Sequence, residues 1–427
     1  MRKLCLLICC FLSLGIYGET IQEVFQGLIE EMLLHNPRLQ SREAQIRQQL
    51  YSIRESQGNL FAPEIDVYAS RSTTRTRYDQ QEIDDSKRTV EDIGIRLNYN
   101  LFRGFGDWYR LEHSRRQYAV ARENWIYSAQ GFLGSLIERY SVYLQSYHNL
   151  RVAEESFREN EKILEFFTEQ RRLRLAVRSE YYLAKARFHE AEADFIRAEN
   201  NLETARNNLE RLLNIKVSED DLIGELVPPD DQGYTLDLMN RPEYRLENYA
   251  LEILGDERKM AESNFYPRLD FNTSYGHTDE RVSAERRAWT VQLQLSMNLF
   301  RGFQDVNRLR RIDQEEISLE KGRIDVRREL ETSFENALSR QKSARQDYLS
   351  SREYYKAMEI AYEAASEELR LQLISYPDFL TIQTSWIRAR ENYNNALLNL
   401  IFSDLDLQVL SGTWYDFLHQ YISARLQ

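Results

Sequence analysis

The chain has 427 residues with only 16 Gly and 7 Pro, while 29% of it is charged and 12% aromatic. Turn-makers are scarce, so the ordered elements must be long and well solvated, which argues against two or three ordinary globular domains. Its 56 basic and 68 acidic residues give a net charge of −12, the wrong sign for a groove that neutralises nucleic-acid phosphates.

Residues 1–18 read as a secretory signal. Arg2 and Lys3 precede an apolar run from Leu4 to Leu14, and Gly15-Ile16-Tyr17-Gly18 offers a small-residue exit. All three cysteines, Cys5, Cys9 and Cys10, lie in this segment, so cleavage after Gly18 leaves a chain without disulfides, thiol catalysis or thiolate metal sites. Loss of Arg2 and Lys3 takes the net charge from −12 to −14. The alternative is a lipoprotein acylated at Cys10, for which Cys9 is a poor small residue in front. Downstream no run of eighteen apolar residues occurs, so a membrane role falls to alternating strands.

The remainder is a duplication. Asn100-Leu101-Phe102-Arg103-Gly104-Phe105 recurs letter for letter as Asn298-Leu299-Phe300-Arg301-Gly302-Phe303, 198 residues on. The same offset pairs Leu173 with Leu371, Glu180 with Asp378 and Asn214 with Gly412, whereas Asn36-Pro37 and Arg241-Pro242 stand 205 apart, and Pro63 and Pro267 stand 204 apart. The plan is a first repeat over 19–214 (helix, two strands, long helical hairpin), an acidic linker over 215–236, a second repeat over 237–412 and a short tail over 413–427.

Before each hexapeptide the apolar period is two. Ile93, Ile95, Leu97, Tyr99 and Leu101 alternate with polar residues or glycine, as do Trp289, Val291, Leu293, Leu295, Met297 and Leu299, and also Leu269, Phe271 and Tyr275. Glu64 to Tyr78 is the weakest of four strands, apolar at Ile65, Val67 and Ala69. The clear strands are about ten residues, enough to span a tilted bilayer path. Ile95, Leu97, Leu293 and Leu295 are the candidate lipid-facing positions, although a half-buried soluble sheet gives the same alternation.

After each hexapeptide a helix is expected, with Asp107 and Asp305 as N-caps and an end near Arg172 in the first copy, roughly 100 Å of helix at 1.5 Å per residue. A return helix runs from about Glu180 to Asn214, and its counterpart ends at Gly412, both suited to a left-handed C-cap. Ala184, Phe188, Ala191, Phe195, Ala198, Leu202, Ala205, Leu209 and Leu212 step by four and three, and the second copy does likewise from Phe379 to Leu410. That seam is the core of a coiled-coil hairpin.

Four strands cannot close a barrel, and open edges cannot face lipid. Eight strands from two chains or twelve from three would solve this, and only the larger number leaves an open lumen.

No catalytic pattern stands out. His189-Glu190 begins like a zinc-protease helix, but Ala193 stands where the second His is needed, and Gly104-Phe105-Gly106 does not continue as a phosphate loop. The expectation is a protein that is not an enzyme and needs no cofactor or metal.

The chain resembles the TolC-like outer-membrane efflux proteins. The resemblance rests on Asn36-Pro37 and Arg241-Pro242-Glu243 opening the halves, prolines 63 and 267 before strands, the Asn-Leu-Phe-x-Gly-Phe turns at Gly104 and Gly302, and the closing Ser375-Tyr376-Pro377-Asp378-Phe379-Leu380. Arg103 and Arg301 depart from the Asp usual after Leu-Phe. The resemblance implies a mainly α protein with a membrane β-barrel: a duplicated β-β-α-α plan, coiled-coil hairpins forming an α-barrel tunnel, and four strands per chain in a twelve-stranded trimeric barrel. It implies a homotrimer in outer-membrane lipid of a Gram-negative-type cell, spanning into the periplasm. A periplasmic adaptor (membrane fusion protein) and an inner-membrane transporter are its implied partners in tripartite efflux or type I secretion. Leu173, Arg174, Leu175, Ala176, Val177, Leu371, Gln372, Leu373 and Ile374 at the hairpin tips are the candidate adaptor contacts, with self-packing of the turn as the alternative. Asp378 and Glu180 are the candidate aperture residues, with an ordinary N-cap as the alternative for Asp378. The competing reading of the whole chain is a periplasmic coiled-coil scaffold without a pore.

Overall fold

A computed structural model describes residues 20–76, 86–173, 177–280, 283–371 and 373–426. The first repeat contains α1 (Ile21–His35), α2 (Pro37–Phe61), β1 (Glu64–Thr76), β2 (Ser86–Arg103), α3 (Gly106–Arg172) and α4 (Arg178–Leu213). The second contains α5 (Pro242–Glu262), β3 (Arg268–Glu280), β4 (Ser283–Ser296), α6 (Gln304–Arg370) and α7 (Tyr376–Ser411), and α8 (Tyr415–Leu426) follows. The duplicated plan is kept in length as well as order: α3 and α6 have 67 residues each, α4 and α7 have 36, and β1 and β3 have 13. The chain divides into two compact units.

The first unit comprises Met1–Ser41, Ile126–Arg241 and Glu329–Tyr421. Thr20 and Glu23 form a capping box at the start of α1, which satisfies two backbone donors reciprocally. Phe25, Ile29 and Met32 of α1 are buried, and Tyr140 of α3 lies between Phe25 (6.3 Å) and Phe402 of α7 (5.7 Å). The Tyr140 hydroxyl donates to the Leu222 carbonyl at 2.9 Å, which fixes the linker to this core, and burial pushes its phenol well up.

The return helices bury the expected seam. Ala184, Ala191, Ala198 and Ala205 recur at sevens on α4 and are all buried. The space left by such small side chains admits large partners: Phe157 of α3 packs against Phe188 at 5.4 Å and stacks on Phe195 at 5.7 Å. In the second hairpin Tyr362 of α6 stacks on Trp386 at 4.2 Å and Tyr355 on Tyr393 at 5.4 Å. Both return helices end in left-handed caps, Asn214 at φ 61° and Gly412 at φ 91°. The residues preceding Pro37 and Pro242 complete these ends. Asn36 donates through Nδ2 to the Leu212 carbonyl at 3.1 Å, and Arg241 donates through Nη1 to the carbonyls of Val409 (2.9 Å) and Leu410 (3.0 Å). Helix ends leave four carbonyls without intrahelical partners, and these side chains answer some of them from elsewhere in the chain.

The second unit comprises Arg42–Trp125, Pro242–Arg328 and Ile422–Gln427. Its four strands form one antiparallel sheet in the order β1-β2-β3-β4, with β2 and β3 joining the repeats. Helices of this unit are tied by charge: Arg116 of α3 meets buried Asp256 of α5 at 2.5 Å, and Arg245 of α5 meets buried Glu123 of α3 at 3.1 Å. Arg258 of α5 reaches both Asp313 and Glu316 of α6 at 2.7 Å. Arg425 of α8 pairs with buried Glu43 of α2 at 3.2 Å. Removing one partner of a buried pair strands the other charge, so these contacts hold the helices in register.

Three expectations are corrected. The strands have 13 to 18 residues rather than about ten, because pairing continues beyond the apolar stretch. β4 stops at Ser296, not Leu299, while β2 runs on to Arg103. The difference is a partner: the end of β2 pairs with the start of β3 beyond a bulge, whereas the residues after Ser296 have no strand beside them among the described residues. Asp107 and Asp305 are not N-caps but lie inside the first turns of α3 and α6, since the helices begin at Gly106 and Gln304.

Candidate functional sites: the four-stranded sheet and the hairpin tips

Cross-strand register shows which side chains share a face. Ile65, Leu97, Thr273 and Val291 form one row, Val67, Ile95, Tyr275 and Trp289 the next, and Tyr99, Phe271 and Leu293 a third. Phe102, Leu269 and Leu295 continue the face after the bulge. Ile95, Leu293 and Leu295 are exposed and Leu97 is half-buried, with Leu295 at 70% relative exposure. A contiguous apolar face of this kind is not a water-facing surface. The polar ties at Thr273 in these rows are local, Trp289 Nε1 donating to Thr273 Oγ1 at 2.9 Å and that hydroxyl donating to the Thr290 carbonyl at 3.0 Å.

The opposite face is polar. Asp66, Arg96, Ser274 and Thr290 align, as do Asn100, Asp270 and Gln294, and Asn98 donates to Asp66 at 3.3 Å. Tyr68 lies across Gly94 and Gly276. A Cβ on Gly94 would stand 2.7 Å from the tyrosine hydroxyl oxygen and 2.6 Å from the Tyr275 carbonyl oxygen. Arg96 is positioned over the same ring, 5.0 Å from its centroid.

The two hexapeptides fold alike. Gly104 and Phe105 have φ of 60° and 66°, Gly302 and Phe303 have 59° and 62°. Phe102 meets Phe105 edge to face at 5.2 Å, and Phe300 meets Phe303 at 5.3 Å. Arg103 lies 4.0 Å from Asp107 and Arg301 lies 3.9 Å from Asp305. A cation before a helix N-terminus has the unfavourable sign, and the carboxylate one turn on offsets it.

Gly104 should not tolerate a side chain. A Cβ there would stand 2.5 Å from the Ser263 carbonyl oxygen and 2.7 Å from Tyr266 Cβ, and the left-handed backbone adds about 1–2 kcal/mol of strain. Gly104→Ala is expected to lower the melting temperature. Gly58→Ala, in α2 with no neighbour within 4 Å of the added atom, should raise it through about 0.5–1 kcal/mol of helix stabilisation. Thermal melts of both variants check the opposite signs.

At the tips, Leu173, Val177, Leu371 and Leu373 are exposed, whereas Ile374 is half-buried against a cluster containing Phe167, Tyr376, Phe379 and Leu380. Arg174, Leu175, Ala176 and Gln372 fall outside the described residues. Tyr376 is buried, its ring 4.8 Å from Phe167, and burial pushes its phenol up to about 12. The N-cap of α7 is Ser375: the Asp378 backbone N–H donates to its Oγ at 3.4 Å, and that hydroxyl donates to Asp378 Oδ2 at 2.5 Å. Asp378 is therefore not the cap; it is an exposed carboxylate in the first turn. Glu180 holds the equivalent place in α4, half-buried, after Val177, which provides no side-chain cap. Among the described residues no group of three His, Cys, Asp or Glu side chains could hold a metal ion, and no helix is long and apolar enough to cross a membrane.

Residues 28–214 match the family model described as Outer membrane efflux protein, and the hexapeptide within that stretch recurs in the second half. Over most of the chain the fold is that of solved outer-membrane channels. The fold is TolC-like, and the first repeat is similar in sequence to the outer membrane efflux proteins. The CmeC outer membrane channel of Campylobacter jejuni is 15% identical, over 94% of this chain and 90% of that one, with a TM-score of 0.77. The outer membrane protein VceC of Vibrio cholerae is 15% identical over 91% and 96% of the two chains, TM-score 0.73. The open-state MtrE outer membrane channel of Neisseria gonorrhoeae is 19% identical over 91% and 88%, TM-score 0.70. No curated protein matches the sequence.

Proposed function

We propose that three copies of this chain form an outer-membrane channel-tunnel that passes substrate from an inner-membrane transporter, through a periplasmic adaptor, to the exterior. Residues 1–18 serve export as a signal peptide, and the acidic linker 215–236 joins the two repeats. One observation carries the reading: a four-stranded sheet with one contiguous apolar face and two unpaired edges, β1 and β4. Each unpaired backbone group would cost several kcal/mol in lipid, so further strands must come from other copies, and twelve give a lumen. A pore-less scaffold would instead leave Val67, Trp289 and Leu295, each at least 70% exposed, in water. Nothing in the reading requires catalysis.

The exposed apolar tip residues are assigned to the adaptor. Charged surroundings such as Arg171 and Arg172 suit the rim of a partner interface. Asp378 is assigned to the periplasmic aperture. In a trimer it occurs three times around the axis, and carboxylates that converge form a barrier to anions that divalent cations can bridge.

Planar-bilayer recording tests both levels. The purified protein should insert only from detergent and conduct, and the absence of conductance from a well-folded trimer would remove the channel. Asp378→Asn leaves Ser375 as the cap and removes the charge. It is expected to weaken cation preference and block by divalent cations added on the periplasmic side. Unchanged selectivity and block would return Asp378 to a purely local role beside Ser375.

A further inference from the structure

We propose that the first hairpin tip, and not the second, recognises carboxylates: Arg171 and Arg178, held on the rings of Tyr181 and Tyr182, receive an acidic segment at the end of the adaptor. The inference rests on the assignment of the tips to the adaptor, and it adds the chemistry of the partner and the tip that reads it.

The duplication makes the two tips comparable position by position, and their charge does not follow the repeat. Residues 165–180 carry four arginines and three glutamates, a net charge of +1. Their counterparts 198 residues on, 363–378, carry one arginine against three glutamates and one aspartate, a net charge of −3. One arginine is common to both tips, Arg172 and its twin Arg370. Each is taken by the glutamate three residues earlier, Glu169 at 2.9 Å and Glu367 at 2.7 Å. The remaining cations belong to the first tip alone.

Arg171 lies over Tyr181, 4.4 Å from the ring centroid, and 5.7 Å from that of Tyr182, while Arg178 lies 5.8 Å from the centroid of Tyr182. Both arginines are exposed, and among the described residues neither has an acidic partner. A ring attracts the guanidinium through its negative face and leaves N–H donors at the edge of the cation, the fork that pairs with a carboxylate through two parallel bonds. Leu173 and Val177, between these arginines in the chain, are exposed as well, so apolar contact is available beside the charge.

The second tip uses the same positions differently. Leu369, Tyr376, Phe379 and Leu380 stand where the first tip has Arg171, Arg178, Tyr181 and Tyr182. Tyr376, Phe379 and Leu380 are buried, with the Tyr376 ring 4.8 Å from Phe167. There the positions hold the hairpin together. At the first tip Tyr181 still packs on that cluster, but Arg171, Arg178 and Tyr182 are turned to solvent, and internal packing does not account for them. Arginine and tyrosine beside exposed aliphatic side chains have the composition of a protein interface, and the sign of the patch selects an acidic partner.

Charge reversal in the full-length trimer tests this. Arg171→Glu with Arg178→Glu is expected to lower transport in cells roughly tenfold or more, with trimer yield and single-channel conductance unchanged. Arg171→Lys with Arg178→Lys should keep most of the transport. Glu363→Arg with Glu368→Arg, at exposed positions of the second tip, should change it less than about threefold. Second-site suppressors selected for restored transport in the reversed strain should replace Asp or Glu residues of the adaptor by neutral or basic ones. Normal transport by the reversed variant overturns the inference, as do an equal loss from both tips and suppressors that leave the adaptor's acidic residues untouched. A raised conductance of the purified reversed trimer also overturns it, because the guanidiniums then serve neighbouring acidic tips. If the reversal costs the trimer, Arg171→Gln with Arg178→Gln is read in its place, with a loss of roughly threefold or more expected; unchanged transport, or a trimer lost again, overturns the inference. Leu173→Glu with Leu373→Glu separates the two levels. A silent arginine reversal beside a damaging leucine pair removes the carboxylate contact alone, and silence from both removes the adaptor from the tips.

Discussion

Leu295→Arg should abolish the trimer in the outer membrane, whereas Gln294→Arg, one residue away, should leave it near normal yield. The two side chains leave β4 on opposite faces, Leu295 in a row with Leu269 and Phe102, Gln294 in a row with Asp270 and Asn100. A lipid-facing arginine costs about 2–4 kcal/mol at the bilayer midplane and less toward the interface, and the cost is incurred three times in a trimer. A folded protein has only about 5–15 kcal/mol of stability in hand, so the outward change consumes much of it. The inward arginine keeps its head in water and joins a face that already carries Arg96. Migration of the unheated and heated membrane fraction, read by immunoblot, distinguishes trimer from monomer. Equal yields from both variants would end the assignment of the two faces.

Leu173→Glu combined with Leu373→Glu should abolish transport while trimers still reach the membrane. Both leucines are exposed, at 58% and 70%, and each belongs to a different tip. Neither is among the buried residues Phe167, Tyr376, Phe379 and Leu380 that hold the tip together, so folding has little stake in them. A residue that is a hot spot of an interface is worth about 2 kcal/mol or more, and if both leucines are such anchors their loss together should reduce adaptor affinity by roughly 100-fold or more. Transport assays in cells and pull-down of the trimer by its adaptor give the two readouts. Loss of the trimer itself would make these residues structural, and normal transport would take the adaptor contact away from the tips.

Much of this architecture is legible in the sequence because it is periodic. The alternation from Ile93 to Leu101 specifies a face, the steps of four and three from Ala184 to Leu212 specify a seam, and both are confirmed by burial and register. Asn214 and Gly412 are legible as caps because few residues accept a left-handed backbone. What was not legible depends on partners distant in the chain. The roles of Asn36 and Arg241 need carbonyls 176 and 168 residues away, and the bulge at Asn100 needs β3 opposite it. The misplaced caps have a local cause: the double left-handed step at Gly104-Phe105 starts the helix earlier than the aspartate suggests. At the second tip Ser375 takes the cap for which Asp378 was the alternative, because the Ser375 hydroxyl lies three residues before the Asp378 N–H that it accepts from.

The equal lengths of α3 and α6, and of α4 and α7, restrict how such a chain can evolve. One inserted residue rotates everything beyond it by about 100° and advances it 1.5 Å, carrying Ala191 or Ala389 out of its seam. Seven inserted residues restore the seam almost unchanged, but only if the opposing helix of the hairpin gains seven as well, and only if the other hairpin does the same. Reach can therefore change in steps of about 10 Å, by four coordinated events and by no smaller number. A lineage is then expected to hold its helix lengths fixed while its loops and surface residues drift, and rare descendants should differ by whole heptads in all four helices together.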